Sequence, residues 1–277
     1  MKIKRFYLEI TNACNLDCSF CTNEKGNEYL NIDTIENYLY QIKEYSDYVY
    51  LHVLGEPLLH NDLDTILSIT DKLKLNVQLV TNGTLLNSNL FIFKHPSLRK
   101  LSISLHSITS QSINKNYFKT IEEIINEEKD VNIELRFYNH HNLSKDLKEF
   151  ETKLIKEYNI DFTNKNNSYK LKDNVYLYYA DFFKWPDIND EYIGDTGFCR
   201  GAIDQLAILH DSTVTLCCLD PKGHNKIGNL KSETLKNILE SKNYKEIVDN
   251  IKNRKLSNEL CKKCSYRLRF DDKHNSK

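Results

Sequence analysis

From residue 6 to about residue 163, runs in which apolar residues alternate with polar ones take turns with runs whose apolar residues fall three and four apart. Strands are predicted at 6–11, 48–54, 76–81, 100–106, 131–138 and, on the thinnest pattern, 159–163. Helices are predicted over 32–46, 61–73, 84–95, 110–127 and 143–157. That order commits the chain to a parallel sheet with right-handed crossovers, either an open doubly wound sheet or a partial barrel.

The composition of the strand faces bears on that choice. Leu101, Ile103 and Leu105 share one face of their strand, leaving Ser102, Ser104 and His106 on the other. Val131, Ile133, Leu135 and Phe137 likewise oppose Asn132, Glu134 and Arg136, and Leu8 and Ile10 oppose Glu9 and Thr11. A parallel sheet covered on both faces reads as nearly continuous hydrophobics. Here one face packs helices while the other carries polar groups, so a partial (β/α)6 TIM-like barrel with a polar, ligand-holding lumen is expected. A sheet with one solvent face is the plainer alternative.

The core is expected to span residues 1–163, followed by a linker over 164–198 with one short strand at 175–179. A small C-terminal β-hairpin-plus-helix domain is expected over 199–277, from strands at 205–210 and 213–217 and a helix at 232–253. Tyr176, Tyr178, Tyr179 and Trp185 read as linker packing. A chain of 277 residues can bury a real core, and its net charge of −1 gives no whole-molecule field for nucleic acid. Lys262, Lys263, Arg267 and Arg269 read as a solvated face. No secretory signal or membrane-length apolar run is seen, so a cytoplasmic, non-membrane protein is expected. In a reducing compartment the eight cysteines, clustered at 14–21 and 199–264, point to metal rather than disulfides.

Cys14, Cys18 and Cys21 follow the first strand directly, with Phe20 before the last of them. Structural zinc takes four closed ligands, and so does a four-iron cluster. Three thiolates on a cubane would leave one iron open to a cofactor. The C-x3-C-x2-C motif resembles the radical S-adenosylmethionine (SAM) superfamily. Gly55-Glu56-Pro57 resembles that family's GGEP element, with Leu54 in place of the first glycine, and Thr81-Asn82-Gly83 ends the third strand as in many members. The resemblance implies that Cys14, Cys18 and Cys21 hold a [4Fe–4S] cluster that cleaves SAM reductively. It also implies SAM contacts from Phe20, Gly55, Glu56, Pro57, Asn82, Ser104 and Arg136. An electron donor such as flavodoxin or ferredoxin is implied as a partner.

The later cysteines resemble the SPASM/Twitch-type domain appended to many radical SAM enzymes, with Ser212 where that pattern has glycine. The resemblance implies that Cys199, Cys217, Cys261 and Cys264 hold an auxiliary [4Fe–4S] cluster. Zinc on the same four thiolates stays open, as does Cys218 in place of Cys217. Cys218 is otherwise an idle buried thiol, or a hydrogen-atom donor as in radical SAM peptide epimerases. His106 is a candidate substrate contact or base, or a satisfied lumen histidine, and His52 and Glu9 share its standing. Asp220 reads as a turn aspartate. The expected reaction is hydrogen abstraction completed by an oxidation, a dehydrogenation in the simplest case. A peptide maturase or epimerase and a non-catalytic metal-bound scaffold are the alternatives. Because the first strand opens the sequence, a small polar substrate is favoured over a peptide, and neutral charge weighs against RNA.

Overall fold

Ten strands form one open sheet in the order β10-β9-β8-β1-β2-β3-β4-β5-β7-β6. The computed structural model describes residues 2–22, 26–108, 116–139, 143–163 and 166–271. The first five strands are β1 (Arg5–Leu8), β2 (Tyr48–Tyr50), β3 (Asn76–Thr81), β4 (Leu98–Ser104) and β5 (Asn132–Tyr138), each parallel to the next. The partial barrel expected from the sequence is what forms, and the sheet does not close.

The crossover helices lie on the outer, apolar face. Helix α1 (Ile32–Lys43) starts where the Asn31 side chain accepts a hydrogen bond from the Thr34 amide, and it buries Ile35, Tyr38, Leu39 and Ile42. Helix α2 (Leu63–Leu73) ends at Lys74, whose φ of 53° stops the helix in the left-handed region. Helices α3 (Tyr117–Asn126) and α4 (Lys145–Glu157) complete the set, and the start of the helix expected from residue 110 lies outside the described residues. Leu101, Ile103, Leu105, Ile133, Leu135 and Phe137 all sit in this outer core.

Three expectations are corrected. The segment 84–95 forms short 3-10 turns at Leu86–Ser88 and Leu90–Lys94 instead of a helix, because Asn89 leaves helical geometry and its amide group donates to the Leu85 carbonyl. Residues 159–163 make no strand: Asn159 has φ 49°, and the Asp161 carboxylate accepts from both the amide and hydroxyl of Thr163, forming a turn. The sixth core position is filled from the expected linker by β7 (Val175–Ala180). It runs parallel to β5 and is entered through an antiparallel hairpin from β6 (Ser168–Lys172), with Asn174 at φ 61° in the turn.

The C-terminal strands join the core. Strand β8 (Gln205–Ile208) pairs in parallel with β1, and β9 (Thr213–Thr215) and β10 (Lys226–Asn229) extend the sheet antiparallel beyond it. The expected helix at 232–253 is two helices, α5 (Leu235–Glu240) and α6 (Lys242–Lys252). Ser241 is extended between them, and its hydroxyl caps the second. Two short helices, α7 (Glu259–Lys263) and α8 (Leu268–Asp271), follow.

Glu9 staples this junction from within. It is 1% exposed; one carboxylate oxygen accepts from the Leu54 amide at 2.9 Å, and the other from the amide and Nδ1 of His210 at 3.1 and 2.8 Å. His210 Nε2 reaches Glu28 at 2.9 Å. The hydrogen bond to Glu9, then the charges of Glu9 and Glu28, raise the His210 pKa. The folded state therefore holds the His210 proton more tightly than the unfolded chain does. That stabilisation is complete below about pH 6.5 and is lost as pH rises through the higher folded pKa. Urea midpoints measured anaerobically are expected to fall across that window, and Glu9→Gln to flatten the fall. An unchanged pH slope in the variant would refute the staple.

Candidate functional site

The loop from Thr11 to Cys21 is shaped by backbone contacts. The Thr11 hydroxyl accepts from the Ala13 amide and donates to the Glu28 carbonyl, and the Glu56 amide donates to the Ala13 carbonyl. Gly55 takes φ 73°, and a Cβ there would lie 2.4 Å from the Thr11 carbonyl oxygen, so only glycine lets the two loops meet. Asn82 Nδ2 donates to Asn15 Oδ1 at 2.9 Å, tying the end of β3 to the same loop. Cys14, Cys18, Cys21, Gly55, Asn82 and Ser104 line one pocket of about 190 Å³. Burial pushes the Cys18 thiol up to about 11.

The Glu56 carboxylate borders this pocket, but its bonds are committed elsewhere. It accepts from the Thr81 hydroxyl at 2.7 Å, the Asn82 amide at 2.8 Å and the Leu58 amide at 3.1 Å. Its part is to clamp the loop after β2 onto the end of β3. Pro57 is buried at the first position of a 3-10 turn and is absent from the pocket lining.

A larger cavity of about 570 Å³ continues from this pocket down the lumen, in the size range of small-molecule sites. Phe20, Cys21, Ser104 and Trp185 line both spaces. Arg136 Nε donates to Glu134 Oε1 at 2.6 Å, while Lys100 reaches Oε2 at 2.7 Å, so one carboxylate holds two cations on the polar strand faces. His106 sits one turn beyond β4, stacked on Tyr138 with centroids 4.3 Å apart. Its Nδ1 lies 3.2 Å from the Arg136 carbonyl oxygen, and burial pulls its pKa down to about 4. The ring is therefore neutral, with Nδ1 donating and Nε2 left as an acceptor. Phe20 stacks on Phe182 at 4.4 Å and roofs the cavity.

Tyr178 and Trp185, expected only to pack the linker, line the lumen, whereas Tyr179 packs on Phe137 outside it. The sequence reading did not single out Arg5, Tyr7, Tyr50 or Tyr138, all of them lumen residues. Continuing the alternation of Thr11 and Glu9 back along the first strand would have found Tyr7 and Arg5. Glu9, expected on the lumen face, is taken up by His210.

Cys199, Cys217, Cys261 and Cys264 line a second small cavity, whereas Cys218 faces the lumen. The paired cysteines thus point to opposite sides. The β8–β9 turn depends on Ser212 at φ 73°, which accounts for the glycine of the resembling pattern. The buried Asp220 carboxylate shapes the following loop, accepting from the amides of His224 and Asn225 and from the Thr215 hydroxyl. Asn225 Nδ2 and the Gly201 amide each approach a thiol sulfur at 3.4 Å, Cys261 and Cys199 respectively. Arg267, expected on a solvated face, is 2% exposed and donates to the carbonyls of Cys261, Thr196 and Gly194. It pins the C-terminal cysteine pair to the chain ahead of Cys199.

Among the described residues no three His, Cys, Asp or Glu side chains converge closely enough to hold one metal ion. A zinc ion would need its thiolates at about 2.3 Å, whereas a cubane spreads its ligands over four irons. All-thiolate sets lining a shared cavity are the donor chemistry of clusters. Three cysteines would leave one cluster iron for a cofactor, and four would leave none.

An open parallel barrel with a cysteine loop at its strand ends and an all-cysteine C-terminal site defines an iron–sulfur barrel enzyme. The chain belongs to the radical SAM superfamily, whose model matches residues 8–152, and an iron–sulfur cluster-binding domain model (SPASM) matches residues 199–265. Its cofactors are accordingly [4Fe–4S] clusters and SAM. A GTP 3′,8-cyclase of Aquifex aeolicus (strain VF5) is 29% identical over 123 residues, covering 41% of this chain and 38% of that protein. The match spans about two fifths of the length of such curated relatives. Among solved structures, anSMEcpe with bound AdoMet and Cp18Cys peptide superposes with a TM-score of 0.60 at 14% identity, covering 95% of this chain and 86% of that one. BtrN in complex with AdoMet and 2-DOIA gives 0.54 at 14% identity, covering 96% and 94%. Among the described residues no helix is long and apolar enough to cross a membrane.

Proposed function

We propose that this chain is a radical SAM oxidoreductase that takes a hydrogen atom from a substrate held in the lumen and completes a dehydrogenation. The observation that supports this most is the continuity of the cysteine-loop pocket with the lumen through Phe20, Cys21, Ser104 and Trp185. Cys14, Cys18 and Cys21 hold the SAM-binding cluster, and Cys199, Cys217, Cys261 and Cys264 hold the auxiliary one. When bound, the clusters and SAM supply the 5′-deoxyadenosyl radical and an acceptor for the substrate's electron.

The chain's own part is positioning. Gly55, Asn82 and Ser104 border SAM, Arg136 faces its carboxylate or ribose, and Phe20 covers its adenine. Glu56 and Pro57 hold the loop that carries Gly55. Neutral His106 accepts a hydrogen bond from substrate at Nε2. Flavodoxin or ferredoxin supplies the reducing electron. Both a small molecule and a peptide accompany AdoMet in the neighbouring folds, and a lumen of about 570 Å³ favours the small molecule.

A second reading draws on Cys218, which lines the lumen and whose thiol burial pushes up to about 11, so that it keeps its hydrogen at neutral pH. In this reading the S–H bond breaks as a C–H bond forms on the substrate radical, as in an epimerase. Reduced, anaerobically reconstituted protein is expected to convert SAM to 5′-deoxyadenosine. None formed would sink the enzyme reading in favour of a metal-bound scaffold. Deuterium entering product carbon from D2O would select the second reading over the first.

A further inference from the structure

Four of the lumen side chains that have no role in that proposal form one column. Arg5 and Tyr7 alternate along β1, Tyr7 is in register with Tyr50 on β2, and His52 lies two residues further on. The Tyr7 and Tyr50 rings are 4.6 Å apart, and His52 lies 5.7 and 6.0 Å from them, edge on.

Two features of this column call for a ligand. Among the described residues the charged groups lining the lumen are Arg5, Lys100, Arg136 and Glu134, and Glu134 is shared by Lys100 and Arg136. Arg5 is left with no carboxylate. Its guanidinium lies 6.0 Å from the Tyr50 ring centroid. Independently, His52 Nδ1 is shielded from solvent and has no hydrogen-bond partner. A buried nitrogen of that kind is costly unless a bound group satisfies it.

We infer that the substrate carries an oxyanion, a phosphate monoester or a carboxylate, bound at this column by Arg5 with the Tyr50 hydroxyl and the His52 ring as further donors. The guanidinium fork matches either anion. Burial raises the Tyr50 pKa, so its hydroxyl keeps a proton to give. Burial pulls the His52 pKa down to about 3, so the ring offers a neutral N–H and not a second charge. Cys218 lies beside Arg5 and Tyr7. An anion held here places the rest of the substrate along the lumen toward Phe20 and Cys21.

The inference rests on the lumen being the substrate site, and binding tests it without turnover. Calorimetry on anaerobic, SAM-loaded holoprotein would compare phenyl phosphate, benzoate and neutral benzyl alcohol. One of the anions is expected to bind at least about tenfold tighter than the alcohol, and which one identifies the class. Arg5→Gln is expected to weaken that anion by about thirtyfold or more, with Arg5→Lys restoring part of it. Anions binding no tighter than the alcohol, or Arg5→Gln binding them like the parent, would overturn the inference. If Arg5→Gln loses its iron, Tyr50→Phe and His52→Phe ask the same question. Each is expected to weaken the anion and spare the alcohol, and unchanged anion binding in both would likewise overturn it. Parent protein that cleaves SAM yet binds neither anion removes this inference alone. Parent protein that cleaves no SAM removes the reading beneath it.

Discussion

Cys18→Ala is expected to abolish SAM cleavage while leaving the C-terminal centre filled. Cys14, Cys18 and Cys21 border one pocket, and ligands that act as a unit lose nearly the whole effect when any one is removed. Formation of 5′-deoxyadenosine should fall by at least about a thousandfold, and iron per chain should drop from about eight to about four. The loop itself should survive. It is shaped by Thr11, by the close approach at Gly55 and by the Asn15–Asn82 hydrogen bond, none of which uses the Cys18 thiol. Cleavage surviving in the variant would show that the open cluster site lies elsewhere.

The second large effect is an asymmetry between neighbours. Cys217→Ala is expected to lose about four iron per chain and to lower the unfolding midpoint, since cluster binding is coupled to the folding of the short segments that supply its ligands. Cys218→Ala should retain about eight, because its side chain faces the lumen while Cys217 faces the cavity of Cys199, Cys261 and Cys264. Iron analysis of the two variants side by side decides it. Equal losses, or the loss falling on Cys218→Ala, would reverse the ligand assignment. If Cys218→Ala also keeps its iron but loses turnover, the hydrogen-donor reading stands, and if turnover is kept, the oxidation stands alone.

What could be read in the sequence was whatever a short stretch determines by itself. The strand at 76–81 needs only its own alternation, and the polar faces of β4 and β5 follow from the period of two, so the lumen could be foreseen from Ser102, Ser104, Glu134 and Arg136. Contacts between distant segments left no local mark. Nothing near Gln205 announces that it will pair with Arg5, and the strand expected at 175–179 shows no place in the core sheet until β5 is beside it. Arg267 shows the same limit. In a basic run it reads as solvated, and only the carbonyls of Gly194 and Thr196 explain its burial. Of the four-residue column at Arg5 only His52 was foreseen, because the charge and the other rings look ordinary one by one.

The pairing of β8 with β1 also sets an order of events. Strand β1 is made well before residues 205–208, which complete one of its two edges. Until then Phe6 and Leu8 lie along an unpaired parallel edge, the kind of surface that recruits other chains. Contacts this distant in sequence form slowly, because the intervening loop must close first. Cys199 and Cys217 of the C-terminal cavity flank β8 and β9, so that half of the site takes shape with this pairing. A barrel freed of its C-terminal strands would expose this edge permanently, making those strands the guard against self-association as well as the scaffold of the second cysteine site.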